Sequence, residues 1–217
     1  MSKNYIDINK KSYDLLALEY EEKYKNNEGA NYFYKLIKDF VLKRRKKDFT
    51  NMLEIGPGTG KLLKTFEDNN IRTTAVELSK NMALLASKSS PQSTIINNNI
   101  LNVDFSSNQF DFILAMAVIH NFPEKDLIKL LNKIKEWLKD DGYFILDTTN
   151  NNITESGYFE KEDYNKQVIR YRRKWKKEDL NCFLIENGFE INELINYVDD
   201  TSGKEWLIYA LKKAKKI

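Results

Sequence analysis

Three glycines at every second position follow a short apolar run in the stretch LEIGPGTGKL, residues 53–62. Gly56, Gly58 and Gly60 can adopt positive φ angles, so the chain can turn sharply and present free amide groups close to a ligand. Glu54 stands two residues before the first glycine, and a carboxylate there suits a cationic ligand better than a pyrophosphate. The spacing GxGxG also differs from the GxGxxG of dinucleotide folds, and no Gly-Lys-Ser/Thr phosphate loop is present.

A second acid and a histidine complete the residues that could do chemistry. Glu77 lies in the stretch AVELS at the end of the second predicted strand, seventeen residues after Gly60, where a carboxylate can accept hydrogen bonds from both hydroxyls of a ribose. His120, the sole histidine, follows the apolar run FILAMAVI, residues 112–119. With an ordinary pKa near ~6.5, an imidazole there could remove a proton from a hydroxyl or ammonium group. The alternatives for His120 are substrate positioning and a purely structural role.

Short apolar runs alternate with helical patterns from residue 51 onward. This order predicts a mostly parallel sheet with helices on both faces and ligands at the carboxyl ends of the strands. The predicted strands are 51–55, 71–78, 93–97, 110–116, 142–149, 189–198 and 204–213, the last two as a hairpin around residues 199–203. The predicted helices are 60–69, 79–88, one that starts at Pro123, and 178–187.

Several residue types mark the ends of these helices. Ser79 is a predicted N-cap, Pro123 opens its helix and Gly188 ends the last one. We expect Gly142 to stop the helix that Pro123 opens. The predicted apolar face of that helix is Leu127, Leu130, Leu131, Ile134 and Leu138.

The N-terminal region predicts two amphipathic helices with no strand before them. One apolar face comprises Tyr13, Leu16, Ala17, Tyr20 and Tyr24, and the other comprises Tyr34, Ile37, Phe40 and Val41. We therefore expect a helical cap at 1–47 and a core at 48–217 that carries an insert at about 150–175.

Length and composition indicate the compartment as well as the domain count. The 217 residues suit one large domain with an added cap. The longest apolar run, at 112–119, is too short to span a bilayer, and the polar N-terminal stretch has no apolar signal core. Cys182 is the single cysteine and lies in a helical pattern, so we expect it to have a packing role in a reducing compartment. A cytoplasmic protein without a metal site is expected.

The net charge of +3 does not indicate a nucleic-acid-binding protein. Four C-terminal lysines contribute +4, so the remainder sums to −1; they are Lys212, Lys213, Lys215 and Lys216. Two local basic runs remain, at 43–47 and 170–177.

The stretches LEIGPGTGKL, AVELS and FDFILAMAVIHNF, in this order and spacing, resemble the class I S-adenosylmethionine-dependent methyltransferases of the small-molecule type, similar to methyltransferase types 11 and 12. The resemblance covers residues 10–211 in element order and is most specific at the first two motifs. It implies S-adenosylmethionine as cofactor, S-adenosylhomocysteine as product and no metal. It also implies a Rossmann-like, doubly wound α/β fold with a seven-stranded, mostly parallel sheet whose last strand is antiparallel.

The resemblance also implies roles for particular residues. Glu54 and the three glycines hold the methionine part of the cofactor, and Glu77 holds the ribose. In such enzymes an acid or amide after the third strand meets the adenine amino group. The matching residue is Asn99, with Leu78 and Ile100 beside the ring, although the family more often has aspartate there. A plain turn is the alternative for Asn99.

Methyl transfer from a sulfonium is an in-line displacement, so the protein mainly aligns the reacting groups. His120 and Asn121 follow the fourth strand, beside the expected methyl position, and many family members carry a histidine here. Asn121 could orient either partner or cap the helix that Pro123 opens. Tyr13 and Tyr20, seven residues apart on one helical face, could shield the sulfonium, with simple packing as the alternative.

The leading acceptor is an O or N atom of a small molecule. The helical N-terminus and the insert could enclose a compact pocket that Tyr158, Phe159 and Tyr164 could line. No D/N-P-P-Y/F motif follows the fourth strand, and within the resemblance this argues against DNA amine methylation.

Two rival functions remain open. RNA methylation would use the basic segment 170–177 with its interleaved aromatic residues. The ordinary alternative for that segment is a solvated strand edge, with basic residues on one side and Ile169, Tyr171, Arg173 and Trp175 on the other. A non-catalytic cofactor-binding or interaction protein would be expected to have a damaged site, yet both acids and all three glycines are present.

Overall fold

The computed structural model describes residues 4–25, 28–45, 50–161, 164–199 and 203–215. Its helices are α1 Tyr5–Lys25, α2 Glu28–Arg44, α3 Lys61–Glu67, α4 Lys80–Ser89, α5 Glu124–Trp137 and α6 Lys177–Glu186. Its strands are β1 Asn51–Ile55, β2 Arg72–Glu77, β3 Thr94–Asn97, β4 Phe110–Ala115, β5 Leu138–Thr149, β6 Glu155–Glu160, β7 Ile169–Lys174, β8 Phe189–Val198 and β9 Glu205–Lys213.

Within these described ranges, seven strands form one sheet in the order β3-β2-β1-β4-β5-β9-β8. The pairs among β1 to β5 are parallel, whereas β9 runs antiparallel to both of its neighbours. The predicted fold class, with an antiparallel last strand, is therefore confirmed. The strand order reverses direction at β1, with β2 on one side and β4 on the other. Such a switch point opens a crevice at the carboxyl ends of these strands.

The central strands form because their residues are apolar on both faces. All six residues of β4 are buried, as are four of the five in β1. A strand that is covered by helices on both sides reads as a continuous apolar run rather than as an alternating one. The run 112–119 is therefore a core strand and the turn that follows it. Among the described residues, no helix is long and apolar enough to cross a membrane.

The helix α5 begins after Pro123 as predicted, but its predicted end is wrong. It ends at Trp137, and Leu138 is already extended and pairs with Phe110 at the start of β5. Trp137 is 1% exposed and completes the buried face of the helix. Gly142 lies inside β5, where an added Cβ would stand 2.9 Å from the Asp111 carbonyl oxygen. This glycine therefore permits close packing and does not stop the helix.

The two N-terminal helices are present where the pattern predicts them. Leu16 and Ala17 of α1 and Ile37 and Val41 of α2 are all buried. The helix α1 packs on α4 and β7. Some of the predicted positions lie outside the description: the side chain of Tyr24, together with Lys46, Lys47, Lys216 and loop residues 200–202.

The insert after β5 forms a small sheet of its own, in which β6 and β7 pair antiparallel. As predicted, β7 is an edge strand of its sheet, but the prediction that its basic side is solvated is wrong. Arg170 is 6% exposed, whereas Ile169, from the expected inner side, is 53% exposed. The reason is that α1 packs against β7: the Ser12 hydroxyl donates to the Ile169 carbonyl at 2.6 Å.

The last helix also differs from one prediction. Gly188, with φ +83°, follows α6 as expected. Cys182 on this helix is exposed, so its predicted packing role is wrong. The buried face of α6 is made instead by Leu180, Phe183 and Leu184.

We expect Gly60→Ala to be clearly more destabilising than Gly58→Ala. Gly60 has φ +79°, and an added Cβ would lie 2.7 Å from the Ala86 Cα, whereas at Gly58, with φ +57°, nothing lies within 4 Å. Backbone strain alone should cost Gly58→Ala about 1 kcal/mol, and strain with the backbone clash should cost Gly60→Ala about 3 kcal/mol. Urea unfolding of the ligand-free proteins measures both. Equal losses would refute the packing role of Gly60.

Candidate functional site

A cavity of about 920 Å³ opens at the carboxyl ends of the central strands. Its lining includes every predicted catalytic or cofactor-binding residue except Gly60: Tyr13, Tyr20, Glu54, Gly56, Gly58, Glu77, Leu78, Asn99, Ile100, His120 and Asn121. Gly60 is the N-cap residue of α3 and packs against Ala86 of α4. Of the three aromatic residues predicted from the insert, Tyr164 lines the cavity, whereas Tyr158 and Phe159 are outside its lining.

Glu77, at the end of β2, is the best-anchored acid in this cavity. Its two carboxylate oxygens accept the Gly58 N–H at 3.1 Å and the Ser79 N–H at 2.9 Å. The side chain is 6% exposed, and burial raises its pKa to about 7. Ser79 in turn caps α4 by accepting the Met82 N–H, as predicted. Glu77 therefore joins the glycine turn to the start of α4.

Glu54, at the end of β1, is buried and can accept a further hydrogen bond. It is 2% exposed, and its Oε2 finds no hydrogen-bond partner among the described residues. Burial raises its pKa to about 8, and the negative charge of Glu77 adds to the rise. Since an unsatisfied buried polar atom costs free energy, a cationic hydrogen-bond donor in the cavity would stabilise this carboxylate.

Asn99 borders the cavity beside Leu78 and Ile100. Its side-chain oxygen accepts the Leu101 N–H at 3.1 Å and so caps a 3₁₀ turn that starts at Ile100. Asn99 therefore does form a turn, which was the alternative for it, and this hydrogen bond fixes its side-chain amide at the wall of the cavity.

His120 lies in a second 3₁₀ turn, Ile119–Asn121, after β4. It is 2% exposed, and its Nδ1 lies 3.4 Å from the Thr148 hydroxyl. Burial lowers its pKa well below the usual value, and the positive charges of Arg172, Arg170 and Lys161 lower it further. The expectation of an ordinary histidine pKa is therefore wrong, and the ring is neutral at physiological pH.

Asn121 holds this turn and does not cap α5. Its side-chain oxygen accepts the Tyr13 hydroxyl at 3.2 Å, and its side-chain nitrogen donates to the Ala117 carbonyl at 3.3 Å. The N-cap of α5 is Pro123, which has no side-chain hydrogen bond. Asn121 therefore links the N-terminal helix to the turn that carries His120.

Asp147, at the carboxyl end of β5, is a lining acid that the sequence reasoning missed. It is 3% exposed, burial raises its pKa to about 7, and it accepts the N–H of Ala117. Ala117 has φ +55°, so this bond holds a strained turn beside the cavity. Asp147 could have been predicted from the sequence, because it is an acid near the carboxyl end of the predicted strand 142–149.

Three cations of the insert, Lys161, Arg170 and Arg172, also line the cavity and were missed as site residues. Arg170 donates to the Tyr13 hydroxyl at 3.0 Å, and Arg172 donates to the Thr149 hydroxyl at 2.7 Å. Residues two apart on a strand share one face, and this spacing was the available signal. Among the described residues, no group of His, Cys, Asp or Glu side chains is arranged to hold a metal ion.

Comparison with known proteins identifies one family. A family model described as a methyltransferase domain matches residues 26–207. An uncharacterized protein of Methanocaldococcus jannaschii is 29% identical over 141 residues, which are 65% of this chain and 51% of that protein. An uncharacterized methyltransferase of Alkaliphilus oremlandii is 26% identical over 148 residues, 68% of this chain and 63% of that protein. The chain thus spans about half to two thirds of the length of these relatives.

Solved structures share the fold at low sequence identity. A 1,6-didemethyltoxoflavin-N1-methyltransferase of Burkholderia thailandensis, solved with its acceptor and S-adenosylhomocysteine, has a TM-score of 0.77 at 16% identity and covers 97% of this chain and 89% of its own. An S-adenosylmethionine-dependent methyltransferase of Clostridium acetobutylicum has a TM-score of 0.63 at 20% identity, with coverage of 84% and 92%. These likenesses agree with the predicted sheet.

We expect Glu54→Gln to stabilise the ligand-free protein at alkaline pH. In the unfolded chain the carboxyl ionises near its ordinary value of 4.5, whereas in the fold it ionises near 8. The stability that this group contributes is therefore present below pH 4.5 and lost as pH rises through 8. Glutamine mimics the protonated acid, so the variant should already exceed wild type slightly at pH 5.5, and its advantage should grow by roughly 3 kcal/mol between pH 5.5 and pH 8.5.

Urea unfolding at these two pH values measures this difference, with Glu190→Gln, at an exposed position of β8, as the control. If the free energy of unfolding changed equally with pH in Glu54→Gln and in wild type, the pKa of Glu54 would not be raised in the folded protein.

The single histidine permits a direct test of the pKa of His120. We expect the imidazole Cε1–H signal in NMR spectra of the folded protein to keep one chemical shift from pH 8 to pH 5.5, because burial and three cations disfavour the charged ring. In the urea-unfolded protein the same signal should titrate near ~6.5. A midpoint near that value in the folded protein would contradict the described environment.

Proposed function

We propose that this chain, which belongs to the methyltransferase domain family, transfers the methyl group of S-adenosylmethionine to an O or N atom of a small-molecule acceptor. The family match extends over residues 26–207, well over half of the chain, so the predicted family is confirmed. The observation that carries the proposal is the pair of buried acids, Glu54 and Glu77, at the two strand ends that flank the glycine turn.

The chemistry of these acids fits the cofactor. Glu54 has a buried oxygen without a partner among the described residues and therefore suits the ammonium of a methionine moiety. Glu77 uses its oxygens for two backbone N–H groups, and its remaining lone pairs can accept ribose hydroxyls. Asn99, Leu78 and Ile100 form the adenine side. When bound, S-adenosylmethionine supplies an already activated methyl group, so the chain needs no nucleophile of its own.

The residues around the methyl position act by positioning. The lowered pKa of His120 makes its ring a weak proton acceptor, so it orients the acceptor by hydrogen bonding rather than serving as the main base. Asn121 and Tyr13 are hydrogen-bonded to each other and can hold the acceptor from the other side. Asp147, whose pKa is about 7, is the lining group on this side that can take up a proton near neutral pH.

The described N-terminal helices, α1 and α2, act as a cap over this cavity. On α1, Asp14 accepts the Ser79 hydroxyl at 2.6 Å, and Asn9 accepts the Tyr171 N–H at 2.7 Å. These bonds attach the helix to both α4 and β7. Tyr13 and Tyr20 then face the cavity from the cap and can exclude water from the sulfonium.

A small molecule suits this cavity better than RNA. The basic residues Lys161 and Arg170 lie inside it, largely buried. Outside its lining, Arg173 pairs with Glu124 and Lys174 with Glu155, both at 2.7 Å, and Lys176 lies 3.5 Å from Glu178. The segment therefore does not offer a continuous cationic surface to a phosphate backbone. A cytoplasmic location is part of the same proposal.

We expect Glu77→Ala to weaken cofactor binding at least ~10-fold, because two charge-assisted hydrogen bonds to the ribose are lost. Calorimetric titration with S-adenosylmethionine and S-adenosylhomocysteine measures this on wild type and on the variant. The matched control is Glu190→Ala on β8, which should bind as wild type does.

Absence of binding to wild type would refute the proposed function. Unchanged binding to a folded Glu77→Ala protein would refute only the role of Glu77, and a thermal melt of each variant separates these outcomes from loss of the fold.

A further inference from the structure

One end of the cavity lies between the sheet and α2, and we call it the α2 side. Ile145 of β5 and Ile208 of β9 belong to an apolar cluster that residues of α2 complete. Side chains two residues apart on a strand share one face. Asp147, two residues after Ile145, and Trp206, two residues before Ile208, therefore lie on the face that α2 covers, and both line the cavity.

Asp147 is held in place by backbone contacts. It is 3% exposed, and its Oδ1 accepts the N–H of Ala117. In the described part of the chain, no side chain donates a hydrogen bond to Asp147 and no cationic side chain forms an ion pair with it. A carboxylate can accept several hydrogen bonds, and a buried one that lacks them costs free energy. Its second oxygen is therefore available to a donor in the cavity.

Aromatic residues line the α2 side beside this acid. Trp206 pairs with Thr149 across the β5–β9 ladder, so it lies diagonally across from Asp147, within reach of a large ring. The other aromatic residues that line this side and pack against the same apolar cluster are Phe33, Tyr34 and Tyr197.

The indole of Trp206 offers a face to a ligand. It is half-buried at the cavity wall. Within the described ranges it stacks on no other aromatic ring, and its N–H makes no hydrogen bond. The other two tryptophans, Trp137 and Trp175, are each 1% exposed and belong to the core. Since aromatic rings attract one another in offset-stacked and edge-to-face arrangements, a flat ring in the cavity would gain contact energy at Trp206.

We infer that the acceptor is a flat aromatic or heteroaromatic molecule with an N–H or O–H group, which lies against Trp206 and donates a hydrogen bond to Asp147. This inference rests on the proposed function and names its class of acceptor. Small-molecule sites combine aromatic walls with a few polar groups that fix orientation. A saturated acceptor would forgo the stacking energy, and one without N–H or O–H would leave the carboxylate unsatisfied.

The cavity has room for such a molecule beside the cofactor. Its volume of about 920 Å³ lies near the upper end of the roughly 300–1,000 Å³ that small-molecule sites span.

The same hydrogen bond gives the acceptor's proton a destination. Burial raises the pKa of Asp147 to about 7, so its carboxylate can take up a proton near neutral pH. As the acceptor N or O atom forms its bond to the methyl carbon with a lone pair, its proton passes to Asp147. The carbon–sulfur bond breaks with its electron pair on sulfur, and Asp147 then releases the proton to water.

Three matched probes, titrated at pH 8 into protein saturated with S-adenosylhomocysteine, test the inference. They are 2-naphthol, 2-methoxynaphthalene, which lacks the O–H, and decahydro-2-naphthol, which lacks the aromatic rings. We expect 2-naphthol to bind at least about tenfold more tightly than 2-methoxynaphthalene, because a hydrogen bond to a carboxylate is lost. It should bind at least about threefold more tightly than decahydro-2-naphthol, because stacking is lost.

NMR spectra of nitrogen-labelled protein locate the ring. We expect 2-naphthol to shift the indole N–H signal of Trp206 more than those of Trp137 and Trp175, which are buried. The spectrum of Trp206→Phe assigns the signal.

Variants test the two contacts separately. Asp147→Asn can still accept the Ala117 N–H through its oxygen but presents an amide NH₂ in place of the second oxygen. It should therefore reduce the preference for 2-naphthol over 2-methoxynaphthalene at least threefold. Asp140→Asn is the matched control, since it is exposed on β5 outside the cavity lining and should keep that preference. Trp206→Leu should abolish the preference for 2-naphthol over decahydro-2-naphthol, and Trp206→Phe should retain it.

Thermal melts and titration with S-adenosylhomocysteine check the fold of each variant. The inference is overturned if 2-naphthol does not bind, if it binds no better than its two analogues, or if Asp147→Asn or Trp206→Leu keeps the wild-type preferences. A folded Asp147→Asn protein that binds S-adenosylhomocysteine much more weakly would also overturn it, because Asp147 would then hold the cofactor's ammonium. Failure of wild type to bind S-adenosylhomocysteine is a different result, since it refutes the proposed function.

Discussion

The hydrogen bonds of the Glu77 carboxylate are the interaction on which the rest of this site depends. One oxygen accepts the N–H of Gly58 in the glycine turn, and the other accepts the N–H of Ser79, the N-cap residue of α4. Ser79 also donates to Asp14 of the N-terminal helix. A single buried acid thus connects the turn after β1, the helix after β2 and the cap. Because a carboxylate has several lone pairs, these bonds leave capacity for a ligand.

The cavity has two electrostatic halves. Around the glycine turn, buried carboxyls have raised pKa values; around His120, cations from the insert depress the pKa of the imidazole. Both arrangements cost folding free energy, because ionisable groups are kept away from water. A binding site can hold such groups when its ligand brings the opposite charge, as the ammonium of the proposed cofactor would for Glu54.

Local patterns were enough to predict most of the fold. Apolar runs located the strands of the large sheet, and the residues Ser79 and Gly188 marked helix ends as expected. The acids Glu54 and Glu77 were found from their spacing to the glycines alone. The errors lay where packing overrides local preference: α5 stops at Trp137 because Leu138 joins a strand beside β4, and this pairing was not visible in the helical periodicity.

The sequence by itself determined the sheet, the glycine turn and the two acids beside it, since these depend on residues close together in the chain. Only the tertiary structure decided which way β7 faces and what surrounds His120. Those properties depend on contacts such as Arg170 with Tyr13, 157 residues apart, and Tyr13 with Asn121, 108 residues apart. Periodicity says which residues share a face of an element, but burial and pKa depend on what packs against that face.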